Sequence, residues 1–147
     1  MLKLIGDGIL AIFPYDDMPD AACANAIAAE DALRHRLDKL NTKRVAASLP
    51  TTEVYLALHI GDVFYGNIGS RERLDFTVIG PAVNEVARIA AMCGSVDRDV
   101  LISANFAEII SATGVGSPVS VGRYALRGVE RPQELFTLDR STQPPGG

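Results

Sequence analysis

The chain has 147 residues, 48% of them hydrophobic and 22% charged, with a formal net charge of −4 at pH 7. That is enough chain for one domain with a real core, and no apolar window approaches the length of a membrane span. The acidic balance argues against nucleic-acid binding, which needs a basic stripe to follow phosphates, but it leaves room for a local basic pocket that takes one nucleotide.

In chain order, residues 2–5 and 9–13 are short apolar runs separated by Gly6-Asp7-Gly8. Glycines supply the positive φ angles of a tight turn, so this reads as a β-hairpin. Asp7 breaks the apolar run and no small-residue cleavage site follows, so the segment does not read as a secretory leader. The chain is expected to be cytoplasmic, or the cytoplasmic portion of a larger protein. Asp20 is placed as the N-cap of a helix running to about residue 40. Its face with Ala24, Ile27, Ala28, Leu33 and Leu37 is expected to pack on a sheet, and residues 41–52 read as a polar connection.

Residues 53–60 alternate Val54, Leu56, Leu58 and Ile60, the pattern of a half-buried strand. Residues 63–68 continue extended, 70–74 form a charged hairpin tip, and 75–79 form the next strand. Gly80-Pro81 then breaks the strand and opens a helix to about residue 93. Proline suits a first helical turn, where its missing N–H has no partner to lose. A short strand over 100–103, a helix over 104–112, a loop over 114–122 and two strands over 123–126 and 134–138 complete the domain, residues 1–140. Residues 141–147 read as a disordered tail. Cys23 and Cys93 lie in helices without a CxxC pattern and read as buried thiols.

Several residues offer chemistry. Asp7, between two glycines at a hairpin tip, suits a hard ligand for Mg²⁺ or Mn²⁺ with space for a phosphate, although aspartate also favours turns for its own sake. Lys3 by itself reads as a solvated strand lysine, and its alternative role is to donate to N1 of adenine, where guanine presents an N–H instead. Thr77 reads either as an ordinary β-branched strand residue or as a hydroxyl that accepts from the adenine amino group. Asn84 and Arg88 are four apart and share one helix face. Val83, Val86, Ala87 and Ala90 are expected to form the buried stripe that they border. An amide and a guanidinium side by side orient a sugar and neutralise a phosphate. Arg127 is a candidate for a polyphosphate contact, while Arg71 and Arg73 read as solvated. His35 reads as a helix-surface residue. His59 is expected to face away from the Leu56/Leu58 side of its strand. No nucleophile elbow, GxGxxG or P-loop is present, so neither a hydrolase triad nor a Rossmann or Walker site is expected.

Four segments, in order, resemble the catalytic domain of class III adenylate/guanylate cyclases. They are Lys3-Leu-Ile-Gly-Asp-Gly-Ile-Leu-Ala-Ile-Phe-Pro14, Leu58-His-Ile-Gly-Asp-Val-Phe-Tyr-Gly-Asn-Ile-Gly69, residues 75–88, and Tyr124-Ala-Leu-Arg-Gly-Val-Glu-Arg-Pro-Gln-Glu-Leu-Phe136. The resemblance implies an α+β fold, the ferredoxin-like βαββαβ palm of the family with extra C-terminal strands. It implies that Asp7 is one of two metal-binding aspartates for two Mg²⁺ or Mn²⁺ ions, and that Lys3 and Thr77 read adenine. Asn84 and Arg88 would orient the ribose and stabilise the transition state, and Arg127 would meet the triphosphate. It further implies ATP as substrate, cyclic AMP and pyrophosphate as products in signal transduction, a homodimer with the site at its interface, and regulatory domains elsewhere in the full-length protein. No segment matching the family's first strand, which carries the other metal aspartate, precedes Lys3. The isolated chain is therefore expected to be inactive or nearly so. The competing expectation is a catalytically silent cyclase-like module that dimerises or binds nucleotide to regulate a partner.

Overall fold

The computed structural model describes residues 2–5, 8–68, 75–126 and 131–139. The chain divides into two compact units, residues 1–53 with 109–116, and residues 54–108 with 117–147.

In the first unit, β1 (Leu2–Ile5) and β2 (Gly8–Ala11) pair antiparallel, with Ile5 opposite Gly8. The expected hairpin is present, while its Gly6-Asp7 tip lies outside the described residues. Helix α1 spans Asp20–Ala46, six residues beyond its expected end at residue 40. Nothing in residues 41–46 breaks a helix, and Lys43 and Arg44 in the last turn complement its dipole. The helix stops where Ser48 turns left-handed (φ 59°), two residues before Pro50. Asn41 acts as a clamp: its amide donates to the Thr52 carbonyl at 2.9 Å, and its carbonyl accepts from the Thr52 N–H at 2.8 Å. Pro19, not Asp20, occupies the N-cap position, and no side chain caps the helix there.

The buried line of α1 is Cys23, Ala26, Glu30 and Arg34, not the alanine–leucine face expected from composition. Two charges are tolerated there because they are paired: Arg34 Nε donates to Glu30 Oε1 at 3.1 Å. Neither cysteine forms a disulfide and both are buried, as expected, with the Cys93 thiol donating to the Leu56 carbonyl at 3.7 Å. Burial pushes the Cys23 thiol pKa up, and the nearby Asp20 charge adds to the effect.

In the second unit, β3 (Leu56–Leu58), β6 (Val100–Ser103), β8 (Gln133–Leu138) and β7 (Pro118–Tyr124) form a mixed sheet in the order β3-β6-β8-β7. The β3–β6 pair is parallel and the other two pairs are antiparallel. Strand β3 is shorter than the alternation over residues 53–60 suggests. A strand lasts only as long as a neighbour offers backbone partners, and β6 leaves the sheet at Ser103 to begin helix α3 (Ala104–Thr113). Strand β7, in contrast, begins at Pro118, inside the expected loop. Pairing with β8 draws this Gly- and Ser-containing stretch into the sheet through an irregularity between Ser120 and Gly122, where Gly122 takes φ +112°. Strands β4 (Phe64–Ile68) and β5 (Asp75–Ile79) form a separate antiparallel hairpin.

Helix α2 (Pro81–Val96) follows β5 directly. Its buried residues are Ala82, Ile89 and Cys93. That stripe differs from the one expected, since Ala87 is exposed and Val83, Val86 and Ala90 are only half-buried. Ile89, Cys93, Leu101, Leu126 and Leu135 form the core cluster of this unit, with Ala57, Met92, Val96, Val121 and Tyr124 around it. Burying aliphatic side chains of this size stabilises by about 1.5–3 kcal/mol each. Because Ile89 is anchored there, the residue before it on the helix, Arg88, has a fixed origin.

Candidate active site

The start of α2 is shaped by two glycines. Gly80 precedes the helix with φ +144°, a region favoured by glycine. A Cβ at Gly80 would come within 3.0 Å of the Asp62 carbonyl, and one at Gly61 would lie 2.8 Å from the Ala82 Cβ. The loop after β3 therefore lies directly on the first turn of α2. The Gly80 carbonyl accepts from the Val83 N–H at 3.2 Å and the Asn84 N–H at 3.4 Å, with Pro81 at the first helical position.

Asn84 and Arg88 come together as the sequence spacing requires. With Gly80, Pro81 and Glu85 they line an open cleft of about 490 Å³, within the size range of small-molecule sites. Asn84 is exposed and Arg88 half-buried, so both are available to a ligand. The first turn of α2 carries no acidic residue, so the helix N-terminus and the Arg88 guanidinium favour an anion here, while the Glu85 carboxylate opposes it.

The other expected site residues are less informative. Lys3 lies on β1 opposite Leu10. Thr77 lies on β5 opposite Gly66, three residues before the Gly80 turn. Asp7 and Arg127 lie outside the described residues, as do Arg71 and Arg73. Among the described residues, no group of three His, Cys, Asp or Glu side chains is arranged to hold a metal ion.

Sequence reasoning missed one group. His59 follows β3, and its side chain is only 6% exposed. Its Nε2 lies 3.2 Å from Glu85 Oε2, and its Nδ1 lies 2.8 Å from Ser103 Oγ. Ser103 Oγ also accepts from the Phe106 N–H at 3.4 Å, capping α3. One assignment satisfies every partner: Nε2–H donates to Glu85, and the Ser103 hydroxyl donates to Nδ1 of a neutral ring. Nothing in the local sequence signals this, because the three residues come from three separate elements. His35, as expected, is exposed, with Nδ1 2.9 Å from the Asp31 carbonyl oxygen.

Burial lowers the His59 pKa below its ordinary 6.5, and the Glu85 carboxylate offsets part of that shift. A histidine held neutral contributes stability above its unfolded pKa, and that contribution is lost as pH falls through the lowered folded value. Thermal melts from pH 8 to 5 are therefore expected to show a loss of stability below about pH 6.5. The His59→Gln variant, which does not titrate, should lack that component. Parallel melting curves for the two proteins across this range would refute the assignment.

No protein-family model matches the chain. It is 36% identical over 101 residues to the adenylate cyclase of Anabaena cylindrica, an alignment covering 69% of this chain and 20% of that protein. The chain spans about a quarter or less of the length of the curated relatives it matches. In structure it is similar to the adenylyl cyclase CyaB from P. aeruginosa, with a TM-score of 0.76 and 22% identity over 95% of this chain and 71% of that one. It is also similar to the guanylyl cyclase Cya2, with a TM-score of 0.70 and 23% identity over 94% of this chain and 68% of that one. No described helix is long and apolar enough to cross a membrane. The α+β fold with its mixed sheet, the similarity to these two cyclase structures and the adenylate cyclase relative together identify the chain as a class III nucleotide cyclase-like domain.

Proposed function

We propose that this domain supplies the nucleotide-contacting residues of an adenylate cyclase, which converts ATP to 3′,5′-cyclic AMP and pyrophosphate. The observation that carries this reading is the cleft at the start of α2, where Asn84 and Arg88 stand on one helix face beside an uncapped helix N-terminus. In this reading the Asn84 amide orients the ribose so that its 3′-OH lies in line with the α-phosphorus. The 3′ oxygen bonds to that phosphorus, the bond to the bridging oxygen breaks, and pyrophosphate leaves with the electron pair as the hydroxyl proton is released. Arg88 offsets the charge that grows on the phosphoryl oxygens.

Lys3 and Thr77 are assigned to the adenine edge, and Arg127 to the triphosphate. Asp7 is assigned to a divalent ion, Mg²⁺ or Mn²⁺, which would polarise the phosphates when bound. A homodimer with the site at its interface is part of the proposal, as is a cytoplasmic location, where ATP is available. With Asp7 the one carboxylate assigned to metal, the 147 residues alone are expected to turn over slowly or not at all.

The test is product formation from ATP and from GTP with Mg²⁺ or Mn²⁺, using the 147-residue chain and the full-length protein that contains it. Cyclic AMP from the full-length protein, lost on replacing Arg88, supports the reading. Preference for GTP would overturn the roles of Lys3 and Thr77. A folded, dimeric full-length protein that makes neither product would favour the silent regulatory module.

A further inference from the structure

We propose that His59 is a positioning residue for this site: by joining Glu85 to Ser103 it holds the first turns of α2, and with them Asn84 and Arg88, against the loop after β3. The inference rests on the reading of Asn84 and Arg88 as substrate-contacting groups.

Three observations carry it. First, α2 begins without a side-chain cap, so its N-terminal turns lack the local device that normally fixes a helix start. Second, the loop after β3 takes over that role. Gly61 lies so close to Ala82 that a Cβ would clash, and Gly80 lies against the Asp62 carbonyl, where a Cβ would make a tight contact. Third, His59 ties these contacts together from a buried position. Its partner Glu85 follows Asn84 and lines the same cleft as Asn84 and Arg88. Its other partner, Ser103, is itself buried and caps α3, so the far end of the link is anchored at the end of the interior strand β6.

The link has a second consequence. Glu85 is a carboxylate lining a cleft assigned to a polyphosphate, and an unconstrained negative charge there would repel the substrate. A hydrogen bond from Nε2–H engages that carboxylate and limits its approach to the phosphates. Among the described residues, Glu85 is the charged group acting on His59, and Ser103 is its neutral partner. Protonating His59 would leave Nδ1 with a hydrogen directed at Ser103 Oγ, which already accepts from Phe106. The Ser103 hydroxyl would then have to turn away. The arrangement therefore favours a neutral ring, and positioning should weaken on the acid side.

The experiment combines two readouts on wild type, His59→Gln, His59→Ala and Glu85→Gln. Glutamine keeps a donor for Glu85 and does not titrate. The first readout is NMR of the chain labelled with ¹⁵N-histidine and ¹⁵N-asparagine, following the ring nitrogens of His59 and the side-chain amide of Asn84, with exposed His35 as a control. The second is kcat and KM for ATP against pH in the full-length protein. The expected result is that the Asn84 amide follows the His59 titration and shifts in His59→Ala. In the same variant kcat should fall about tenfold with KM nearly unchanged, the signature of lost orientation. His59→Gln should recover most of kcat and lose the acid limb attributable to His59.

An Asn84 amide indifferent to both titration and substitution would overturn the proposal, as would a His59→Ala enzyme with wild-type kcat and pH profile. If His59→Ala does not fold, His59→Gln and Glu85→Gln decide by the same criteria. A wild-type protein that makes no cyclic nucleotide would sink the cyclase reading alone, and the Asn84 amide would still decide whether His59 positions the helix.

Discussion

Replacing Arg88 by alanine in the full-length protein is expected to lower kcat for cyclic AMP formation by about 100- to 1,000-fold, the cost of losing one preorganised group aimed at developing charge. Arg88 stands one helical turn beyond Asn84 on the same face of α2, half-buried at the cleft. Charge interactions at a half-buried position are stronger than in open water. The loss should appear in kcat more than in KM, because charge on the phosphoryl oxygens grows toward the transition state. Arg88→Lys is expected to recover only part of the rate, since an ammonium cannot reproduce the planar two-point contact. Steady-state kinetics on both variants, with melting curves to show that they remain folded, checks this. A kcat for Arg88→Ala within about threefold of wild type would remove Arg88 from the reaction.

Ile89→Ala is expected to cost about 2–5 kcal/mol of stability, the range for truncating a large aliphatic residue in a core. Ile89 is 1% exposed and packs in the cluster with Cys93, Leu101, Leu126 and Leu135. Truncation removes buried apolar area and leaves a cavity that close-packed neighbours fill only in part. Ile89→Val should cost about 0.5–1.5 kcal/mol, so the two variants form a graded series. Urea unfolding measures both. Near-identical midpoints for Ile89→Ala and wild type would show that the cluster does not support α2. Ile89→Ala should also weaken activity through lost orientation, because Arg88 precedes Ile89 on the helix and takes its position from that anchor.

Much of the local structure was legible without coordinates. Gly80-Pro81 marked the end of β5 and the first turn of α2 because each residue has a strong backbone preference of its own. The i, i+4 spacing placed Asn84 and Arg88 on one face because helical geometry allows no other arrangement. The residues of β5 and β6, and the hairpin of β1 with β2, follow from period and turn chemistry in the same way. Element ends were less legible. Helix α1 runs six residues further than composition suggested, and β7 begins inside an expected loop. Strand length depends on what a partner strand offers, and local sequence does not carry that information.

The buried faces and the His59 link belong to tertiary structure alone. Glu30 and Arg34 lie on the buried line of α1, where each supplies the other's partner. His59, Glu85 and Ser103 are separated by 26 and 18 residues along the chain and meet only because α2 crosses the loop after β3 where β6 gives way to α3. The sequence by itself determined the type of chemistry at the cleft, an amide and a guanidinium at the start of a helix, because residue identity and helical period suffice for that. Only the tertiary structure decided which buried side chains hold that helix in place, because burial and long-range hydrogen bonds depend on how separate elements pack.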